Sequence, residues 1–276
     1  MLSSRPNVGI VGLGSLGSTM QRYFSERGLA TLCYDKNGTG SLVEVNRAEF
    51  VFICVNTPFD QSKQNIDLSY VVAALGALEG AKVVVIRSTV PPGTTAALQV
   101  RFPHHQLLFN PEFLRAATAY EDFIKPPRQI IGVTKQSQLE AQGVLALLPS
   151  APAEYTAVLP AAAAELIKYA SNVMLATKVA FANKIFDFAH VLGVNYTEVR
   201  RLMGADSRIG DYGWAVEDKG YRGYNGACFP KDVRTLIALG KSLGVDVGWL
   251  EQMDTENLRL LESQGQPPNY GYPRKA

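Results

Sequence analysis

Cys228 has the sequence surroundings that covalent chemistry requires. It lies in the run GACFPKD at positions 226–232, and the proline at position 230 is typical of the first turn of a helix. The dipole of such a helix and the neighbouring Lys231 would both favour the thiolate, which is the reactive form of a nucleophilic cysteine. A lone cysteine also often fills a gap between apolar side chains, so both interpretations stay open on these residues alone.

A second group of polar residues shares one face of a predicted helix. Glu165, Lys168 and Asn172 are spaced i, i+3 and i+7 within an otherwise apolar stretch, which brings an acid, an amine and an amide to one side. Polar groups on a half-buried helix face need partners or a purpose, although a solvated stripe has the same spacing.

A glycine-rich segment suited to a dinucleotide precedes both groups. Positions 12–17 read GLGSLG, follow an apolar run and open a helical pattern, as the G-x-G-x-x-G fingerprint requires. In that fingerprint Gly12 permits a tight turn, Gly14 lets a pyrophosphate approach the backbone, and Gly17 lets the helix pack closely on the strand.

Asp35 ends the next apolar run, about twenty residues after the glycines, where a ribose-binding acid is expected. Its carboxylate would hold the ribose 2′-hydroxyl of NAD and repel the 2′-phosphate of NADP. Lys36 follows directly, and a cation there would tolerate such a phosphate. Because strand, spacing and glycines agree, we expect NAD and rank an ordinary turn role for Asp35 below ribose binding.

The elements that must position these residues alternate in the first half of the chain. Strands are predicted at 7–11, 30–34, 50–55, 82–86, 106–109 and 129–133, and helices at 15–27, 68–78, 94–101 and 136–148. Such alternation predicts βαβ units and a doubly wound, Rossmann-like parallel sheet. After residue 158 only helices are predicted, at 160–192, 196–203, 231–243 and 247–263. We therefore expect an α/β domain over 1–157, an all-helical central domain over 158–263 and a loose tail over 264–276.

Bulk composition narrows the function classes. The 276 residues carry a net charge of only +2, with 47% hydrophobic and 19% charged residues, which gives no reason to expect nucleic acid or a membrane as partner. The most apolar helical stretch, 172–193, is interrupted by charges and is too polar for a membrane span. Three cysteines and no targeting signal indicate reduced thiols in the cytoplasm, with Cys33 and Cys54 buried in strands.

Several motifs together resemble the UDP-glucose/GDP-mannose dehydrogenase family, over about residues 7 to 260. They are VNTP (55–58), STVPPGT (88–94), NPEFLR (110–115), ExxKxxxN (165–172), DSRIG (206–210) and GACFPKD (226–232), in the family's order. The resemblance implies an NAD-dependent oxidoreductase that oxidises the primary alcohol of a nucleotide sugar twice, to the acid. It also implies that the long helix forms the core of a homodimer.

The resemblance assigns roles residue by residue. Cys228 would capture the aldehyde as a thiohemiacetal that becomes a thioester, while Lys168 and Asn172 would stabilise oxyanion charge. Asp232 would position water or move protons, and Thr89 and Glu112 match residues of the hydride-transfer and hydrolysis machinery. Contacts to NAD are expected from Gly12, Gly14, Leu16, Gly17, Asp35, Lys36, Thr57 and Thr89. Contacts to the substrate are expected from Glu112, Phe113, Leu114, Lys168, Asn172, Arg208, Tyr224, Asn225 and Gly226; no metal is expected.

The sequence departs from the family's pattern at several places. Ala116 and Ala117 replace a glutamate and a glycine, the region between Asp35 and Phe50 is short, and Asn225 replaces a glycine of the sugar-binding loop. We also expect the family's C-terminal nucleotide-binding domain to be lacking, so that another chain supplies it, the substrate is smaller, or the enzyme has decayed. The two alternatives to a four-electron enzyme are a two-electron hydroxyacid or 6-phosphogluconate-type dehydrogenase and a non-catalytic NAD-binding subunit with a partner chain.

Overall fold

The computed structural model describes residues 6–217 and 220–272, which form two compact units. The first unit comprises the described residues up to Thr57 together with Asp67–Lys168, and the second comprises Pro58–Ile66 and the described residues from Tyr169 onward. The predicted domain boundary at 157/158 falls inside a strand, Thr156–Pro160, whereas the division between the units follows Lys168.

Ten strands are present in the described residues. They are β1 (Val8–Val11), β2 (Thr31–Asp35), β3 (Thr39–Gly40), β4 (Phe50–Ile53), β5 (Phe59–Asp60), β6 (Asn65–Ile66), β7 (Val83–Ile86), β8 (Gln106–Phe109), β9 (Gln129–Val133) and β10 (Thr156–Pro160). All six predicted strands exist. Strand β10 and the three two-residue strands were not predicted; two residues are too few to show an alternating pattern.

The helices follow the prediction closely in the long segments. They are α1 (Ser15–Glu26), α2 (Leu42–Val45), α3 (Ser69–Gly76), α4 (Thr94–Arg101), α5 (Ala119–Ile124), α6 (Ala141–Leu147), α7 (Ala161–Leu192), α8 (Tyr196–Gly204), α9 (Phe229–Ser242) and α10 (Gly248–Glu262). Helix α7 has 32 residues and is therefore about 48 Å long. The short helices α2 and α5 were not predicted.

Eight strands of the first unit form one sheet in the order β10-β9-β8-β7-β4-β1-β2-β3. Strands β2, β1, β4, β7 and β8 are parallel, which confirms the parallel-dominated, Rossmann-like fold. Strand β9 runs antiparallel to β8, because the chain between them returns to the end of the sheet that it left instead of crossing a face. The carboxyl ends of β1, β2, β4 and β7 therefore meet at one edge.

Both faces of this sheet are covered, as the continuous apolar strands predict. Alternate residues of β4 point to opposite sides: Phe50 and Phe52 pack in the core layer under α1, α5 and α6, whereas Val51 and Ile53 pack in the layer under α2, α3 and α4. Each layer buries a set of large side chains, so the sheet that carries the glycine-rich turn is closely packed on both faces.

The second unit is mainly helical. Its main core joins α7, α9 and α10 through residues such as Val173, Val233 and Leu250, and the hairpin β5–β6 contacts α9. Residues 264–272 pack against this unit, contrary to the loose tail that we expected: Tyr270 is only 7% exposed, and its carbonyl accepts a hydrogen bond from Phe59 N. Residues 273–276 lie outside the described residues. Within the described part of the chain, no helix combines the length and hydropathy of a membrane span.

Candidate functional site

Backbone geometry shapes the glycine-rich turn between β1 and α1. Gly12 has a φ of 94°, and a Cβ there would lie 2.7 Å from the carbonyl oxygen of Cys54. A Cβ on Gly17 would lie 1.9 Å from the Gly12 carbonyl oxygen, while one on Gly14 would meet no heavy atom within 4 Å. The turn therefore excludes side chains at Gly12 and Gly17 and leaves open space above Gly14.

Asp35 joins this turn to the end of β2. Its Oδ2 accepts a hydrogen bond of 2.7 Å from Leu13 N, and its Oδ1 accepts one of 3.0 Å from Asn37 N. A cavity of about 340 Å³ lies beside them, lined by Gly12, Gly14, Tyr34, Asp35, Lys36, Asn56, Tyr70 and several apolar residues. A carboxylate, open glycine backbone and a mostly apolar wall fit the adenosine and pyrophosphate parts of NAD.

The other residues expected to contact NAD lie in the same unit. The Lys36 ammonium is 4.8 Å from the centre of the Tyr70 ring, and the partly buried Leu16 packs its side chain against the core. The Thr57 hydroxyl donates a hydrogen bond of 2.7 Å to the carbonyl of Thr89. The structure thus brings together the residues that follow β4 and β7, as the parallel order requires.

Lys168, which is buried, and Glu112, which is partly buried, form an ion pair in the first unit. The Lys168 ammonium lies 2.7 Å from Glu112 Oε1 and also donates to the Glu112 carbonyl at 2.7 Å. Burial alone would raise the pKa of Glu112, but the charge and hydrogen bond of Lys168 and the Leu114 N–H lower it below its usual range. The two side chains are only 4% and 18% exposed, so the ion pair is largely shielded from water.

Residues next to Glu112 in sequence also lie close to the Lys168 ammonium or to its partner carboxylate. Glu112 Oε2 accepts a hydrogen bond of 2.8 Å from Leu114 N, and the Phe113 ring centre lies 5.5 Å from Lys168 Nζ. Arg128 covers that ring at 3.7 Å. Of the residues predicted to bind substrate, Glu112, Phe113, Leu114 and Lys168 are therefore one cluster.

Glu165 caps a distant helix, a structural role that was not predicted from the sequence. Its carboxylate accepts hydrogen bonds from Gly93 N at 2.6 Å and from Thr95 N at 2.8 Å, so it caps the N-terminus of α4 from a distant helix. Burial raises the pKa of Glu165 in spite of these hydrogen bonds. The residue is fully buried, and its partners show that it fastens the start of α7 to the sheet edge.

Asn172 and Asp232 form the corresponding polar pair of the second unit. Asn172 Nδ2 donates a hydrogen bond of 2.5 Å to Asp232 Oδ2, and both residues are buried. The ammonium of Lys231 pairs with the other oxygen, Asp232 Oδ1. Lys231, which we expected to favour the Cys228 thiolate, thus has its charge directed at the adjacent carboxylate.

Cys228 is the N-cap residue of α9, as Pro230 predicted. Its carbonyl accepts a hydrogen bond of 3.0 Å from Asp232 N, so the thiol and the Asp232 carboxylate are one turn apart on the same helix. Cys228 is exposed, whereas Cys33 is buried, and burial raises the pKa of Cys33 and Cys54. Cys54 is only half-buried, contrary to expectation, and lines the cavity beside the glycine-rich turn.

The loop before Cys228, residues 223–227, is fastened by side chains from elsewhere in the second unit. Asn257 accepts a hydrogen bond from Tyr224 N at 2.8 Å and donates one to its carbonyl at 2.9 Å. The Tyr224 hydroxyl donates to Asp254 at 2.8 Å, and burial, followed by the charge of Asp254, raises the pKa of Tyr224. Tyr224, which we predicted to bind substrate, is 2% exposed and supports the loop from inside the core.

Two further predicted substrate residues differ in their surroundings. Arg208 is exposed and pairs with Asp206 in its own turn at 2.6 Å. Asn225 and Gly226 lie in the loop itself, where Gly226 N donates to Asn225 Oδ1 at 2.8 Å. Asn257 and Asp254 gave no signal in the sequence, because an amide or acid on an amphipathic helix usually faces water and its spacing does not reveal a distant partner.

Comparisons with known proteins agree with this geometry. Residues 38–145 match the model of the UDP-glucose/GDP-mannose dehydrogenase family, NAD binding domain, and residues 162–259 match that family's central domain. These matches confirm the predicted NAD-binding domain and family resemblance. The glycine-rich turn precedes the first matched range, so its assignment rests on its geometry.

Individual relatives extend these matches. The chain is 38% identical over 240 residues to a UDP-glucose 6-dehydrogenase from Pseudomonas aeruginosa, an alignment that covers 81% of this chain and 52% of the relative. The structure of a UDP-glucose dehydrogenase from Pyrobaculum islandicum has a TM-score of 0.81 and 30% identity, with 95% of this chain and 69% of that chain covered.

A third similarity concerns the fold alone. The 3-hydroxyisobutyrate dehydrogenase of Mycobacterium tuberculosis has a TM-score of 0.72 at 13% identity, with 97% of each chain covered. By contrast, the chain spans about half the length of the Pseudomonas relative. On the two family models and the Pyrobaculum structure together, the chain belongs to the UDP-glucose/GDP-mannose dehydrogenase family.

Proposed function

We propose that the chain oxidises the primary alcohol of a nucleotide sugar of the UDP-glucose type to the acid, with Cys228 as the nucleophile. One observation carries the proposal: an exposed cysteine caps α9 one turn before Asp232, whose carboxylate is held by Asn172. NAD, when bound, would accept one hydride in each of the two oxidations. The remaining work falls to side chains of this protein.

The thiolate of Cys228 adds to the carbonyl carbon of the aldehyde and forms a C–S bond, which gives a thiohemiacetal. Loss of a hydride from that carbon and of a proton from its hydroxyl group gives a thioester. Water then attacks the thioester, the C–S bond breaks, and the thiol and the carboxylic acid are released. Each oxidation removes two electrons, so one acid formed corresponds to two NADH.

The polar pairs supply what these steps need. Lys168 carries a buried positive charge that would stabilise oxyanion character at the reacting carbon. Asn172 offers an amide donor, and Asp232 would hold water or take up a proton during hydrolysis. Glu112, paired with Lys168, and Thr89, which follows β7, would take part in hydride transfer and hydrolysis.

Assembly and location belong to the proposal as well. Met174, Phe181 and Phe188 recur at intervals of seven residues along α7, and they are 58%, 51% and 65% exposed. A stripe of this kind supports a homodimer formed through α7, which sedimentation of the purified chain tests directly. We place the protein in the cytoplasm, in keeping with its few cysteines, and a partner chain that binds the nucleotide remains an alternative arrangement.

The test is to incubate the purified chain with NAD and a panel of UDP- and GDP-sugars, and to measure NADH and acid separately. We expect two NADH per acid and no acid from Cys228→Ser. Cys33→Ala is the matched control, because Cys33 is buried in β2, and it should keep the wild-type ratio.

Other outcomes would point elsewhere. One NADH per molecule of aldehyde or ketone, unchanged in Cys228→Ser, would favour a two-electron dehydrogenase. Binding of NAD without turnover of any sugar would contradict the proposal and favour the non-catalytic subunit.

A further inference from the structure

The side chain of Asn225 forms three hydrogen bonds within the loop 223–227 and beyond it. Its Oδ1 accepts from Gly226 N at 2.8 Å and from Asn269 N at 2.9 Å, and its Nδ2 donates to the Pro267 carbonyl at 3.1 Å. One amide thus closes its own loop and also links it to a segment more than forty residues away in sequence. Glycine, which the family pattern has at this position, has no side chain to make these links.

The segment that Asn225 binds, residues 267–271, is itself fixed to the second unit, and we call it the anchor segment. Tyr270 is buried, its carbonyl accepts a hydrogen bond of 2.9 Å from Phe59 N, and its ring lies 6.1 Å from that of Phe59. Because the β5–β6 hairpin fixes the anchor segment, the hydrogen bonds of Asn225 to that segment can in turn fix the loop.

The anchor segment also reaches both sides of Cys228. A Cβ on Gly271 would lie 2.9 Å from Cδ of Lys231 and 3.4 Å from the carbonyl oxygen of Ala227. Ala227 directly precedes Cys228, and Lys231 is in the first turn of α9. The anchor segment therefore lies close to the backbone that precedes the thiol and to the Lys231 side chain that follows it.

We propose that Asn225 is a positioning residue for Cys228, and that the anchor segment is a structural part of the thiol site. The inference rests on the proposed function, in which Cys228 is the nucleophile. A nucleophile on a loop needs supporting hydrogen bonds to stay within a fraction of an ångström of its reactive position. Gly226 has a φ of 90°, a conformation that the side-chain Oδ1 of Asn225 helps to fix by accepting a hydrogen bond from Gly226 N.

The amide of Asp232 reports on this effect. Its N–H donates to the Cys228 carbonyl at 3.0 Å, so any loosening of Cys228 weakens that hydrogen bond. A role confined to attaching the anchor segment would change the amides of Gly226 and Asn269 only. A positioning role extends to Asp232 and to the rate of the chemical steps.

The experiment compares Asn225→Ala, Asn225→Gly and Asn225→Asp with the wild type by amide hydrogen exchange and by steady-state kinetics. The Asp variant keeps the acceptor oxygen, so it should rescue most of the effect. Asn195→Ala is the matched control, because Asn195 also accepts a hydrogen bond from a backbone N–H in the second unit, that of Thr197, at the start of α8. All variants are first checked for an unchanged secondary-structure spectrum and cooperative unfolding.

In Asn225→Ala and Asn225→Gly we expect the amides of Gly226 and Asn269 to exchange at least tenfold faster and that of Asp232 at least threefold faster. The value of kcat for acid formation should fall at least tenfold, while the KM for NAD stays within twofold. If Asp232 exchange and kcat match those of the wild type, the positioning role is wrong. If the wild type makes no acid, the proposed function fails, and Asp232 exchange alone then decides whether Asn225 holds the Cys228 backbone.

Discussion

The glycine-rich turn and the loop before Cys228 both lead into a helix, but they are held in different ways. In the turn, Gly12 and Gly17 allow the backbone to approach itself and the backbone of Cys54, which follows the neighbouring strand β4. In the loop, the supporting contacts come from Asn257 on α10 and Asn269 in the anchor segment. The first is a steric arrangement of backbone and the second a set of hydrogen bonds, so substitutions should affect them differently.

The largest effect is expected in the turn. Gly17→Ala places a Cβ 1.9 Å from the Gly12 carbonyl oxygen, and backbone must move to relieve that overlap. We expect a loss of about 3 kcal/mol in the free energy of unfolding and loss of NAD binding. Urea unfolding and NAD titration measure both quantities.

Gly14→Ala is the matched variant for this prediction. A Cβ at Gly14 meets no heavy atom within 4 Å, so stability should stay within about 0.5 kcal/mol of the wild type. NAD should bind more weakly, because the methyl group occupies the approach of the pyrophosphate. Equal destabilisation by the two substitutions would contradict a steric origin for the turn.

A smaller loss is expected in the loop. Asn257→Ala removes both hydrogen bonds to the Tyr224 backbone and leaves a buried N–H and C=O unpaired, which should cost about 2–3 kcal/mol. Asn195→Ala, which removes one exposed cap at α8, should cost about 1 kcal/mol. Urea unfolding of both variants gives the comparison, and a cost for Asn257→Ala no greater than for Asn195→Ala would mean that the loop does not depend on α10.

Two carboxylates of the first unit are also held in different ways, and their contributions to stability depend on pH in opposite directions. Lys168 lowers the pKa of Glu112 against the effect of burial, whereas burial raises that of Glu165, which binds only backbone N–H groups and the Thr95 hydroxyl. The contribution of Glu112 to stability is present above the pKa of an unfolded glutamate, about 4.3, and is lost as the pH falls. The contribution of Glu165 is present below that value and is lost as the pH rises through its folded pKa.

Unfolding free energies at pH 7 and near pH 4 test this difference in sign. The deficit of Glu112→Gln relative to the wild type should shrink at the lower pH, and the deficit of Glu165→Gln should grow. If both deficits move in the same direction, the Lys168 ammonium does not govern Glu112 as the structure indicates.

The sequence predicted those parts of the protein that depend on local pattern. The glycine spacing, the alternation of strands and helices and Pro230 before α9 each reflect a constraint between neighbours in the chain, and the structure has all of them. The motifs also identified Lys168, Asn172 and Asp232, which are buried and paired.

The sequence could not predict which distant groups these residues meet. Glu165 was noticed, but its partners at the start of α4 lie about seventy residues earlier. Tyr224 was predicted to bind the substrate, yet it is buried in the core, where Asp254 on α10 accepts the hydrogen bond of its hydroxyl and Asn257 on the same helix binds its backbone. The tail was expected to be loose because prolines and glycines remove periodicity, although a segment without period can still bury Tyr270.

In the proposed reaction, Cys228 carries the substrate as a thioester. The direct measurement is to stop the reaction with acid during turnover of NAD and UDP-glucose, digest the protein, and determine the mass of the peptide that contains Cys228. We predict a peptide that bears the uronyl group on Cys228, more abundant in Asp232→Asn because hydrolysis is slowed. An unmodified Cys228 peptide in both proteins, while the wild type accumulates acid, would contradict the thioester mechanism.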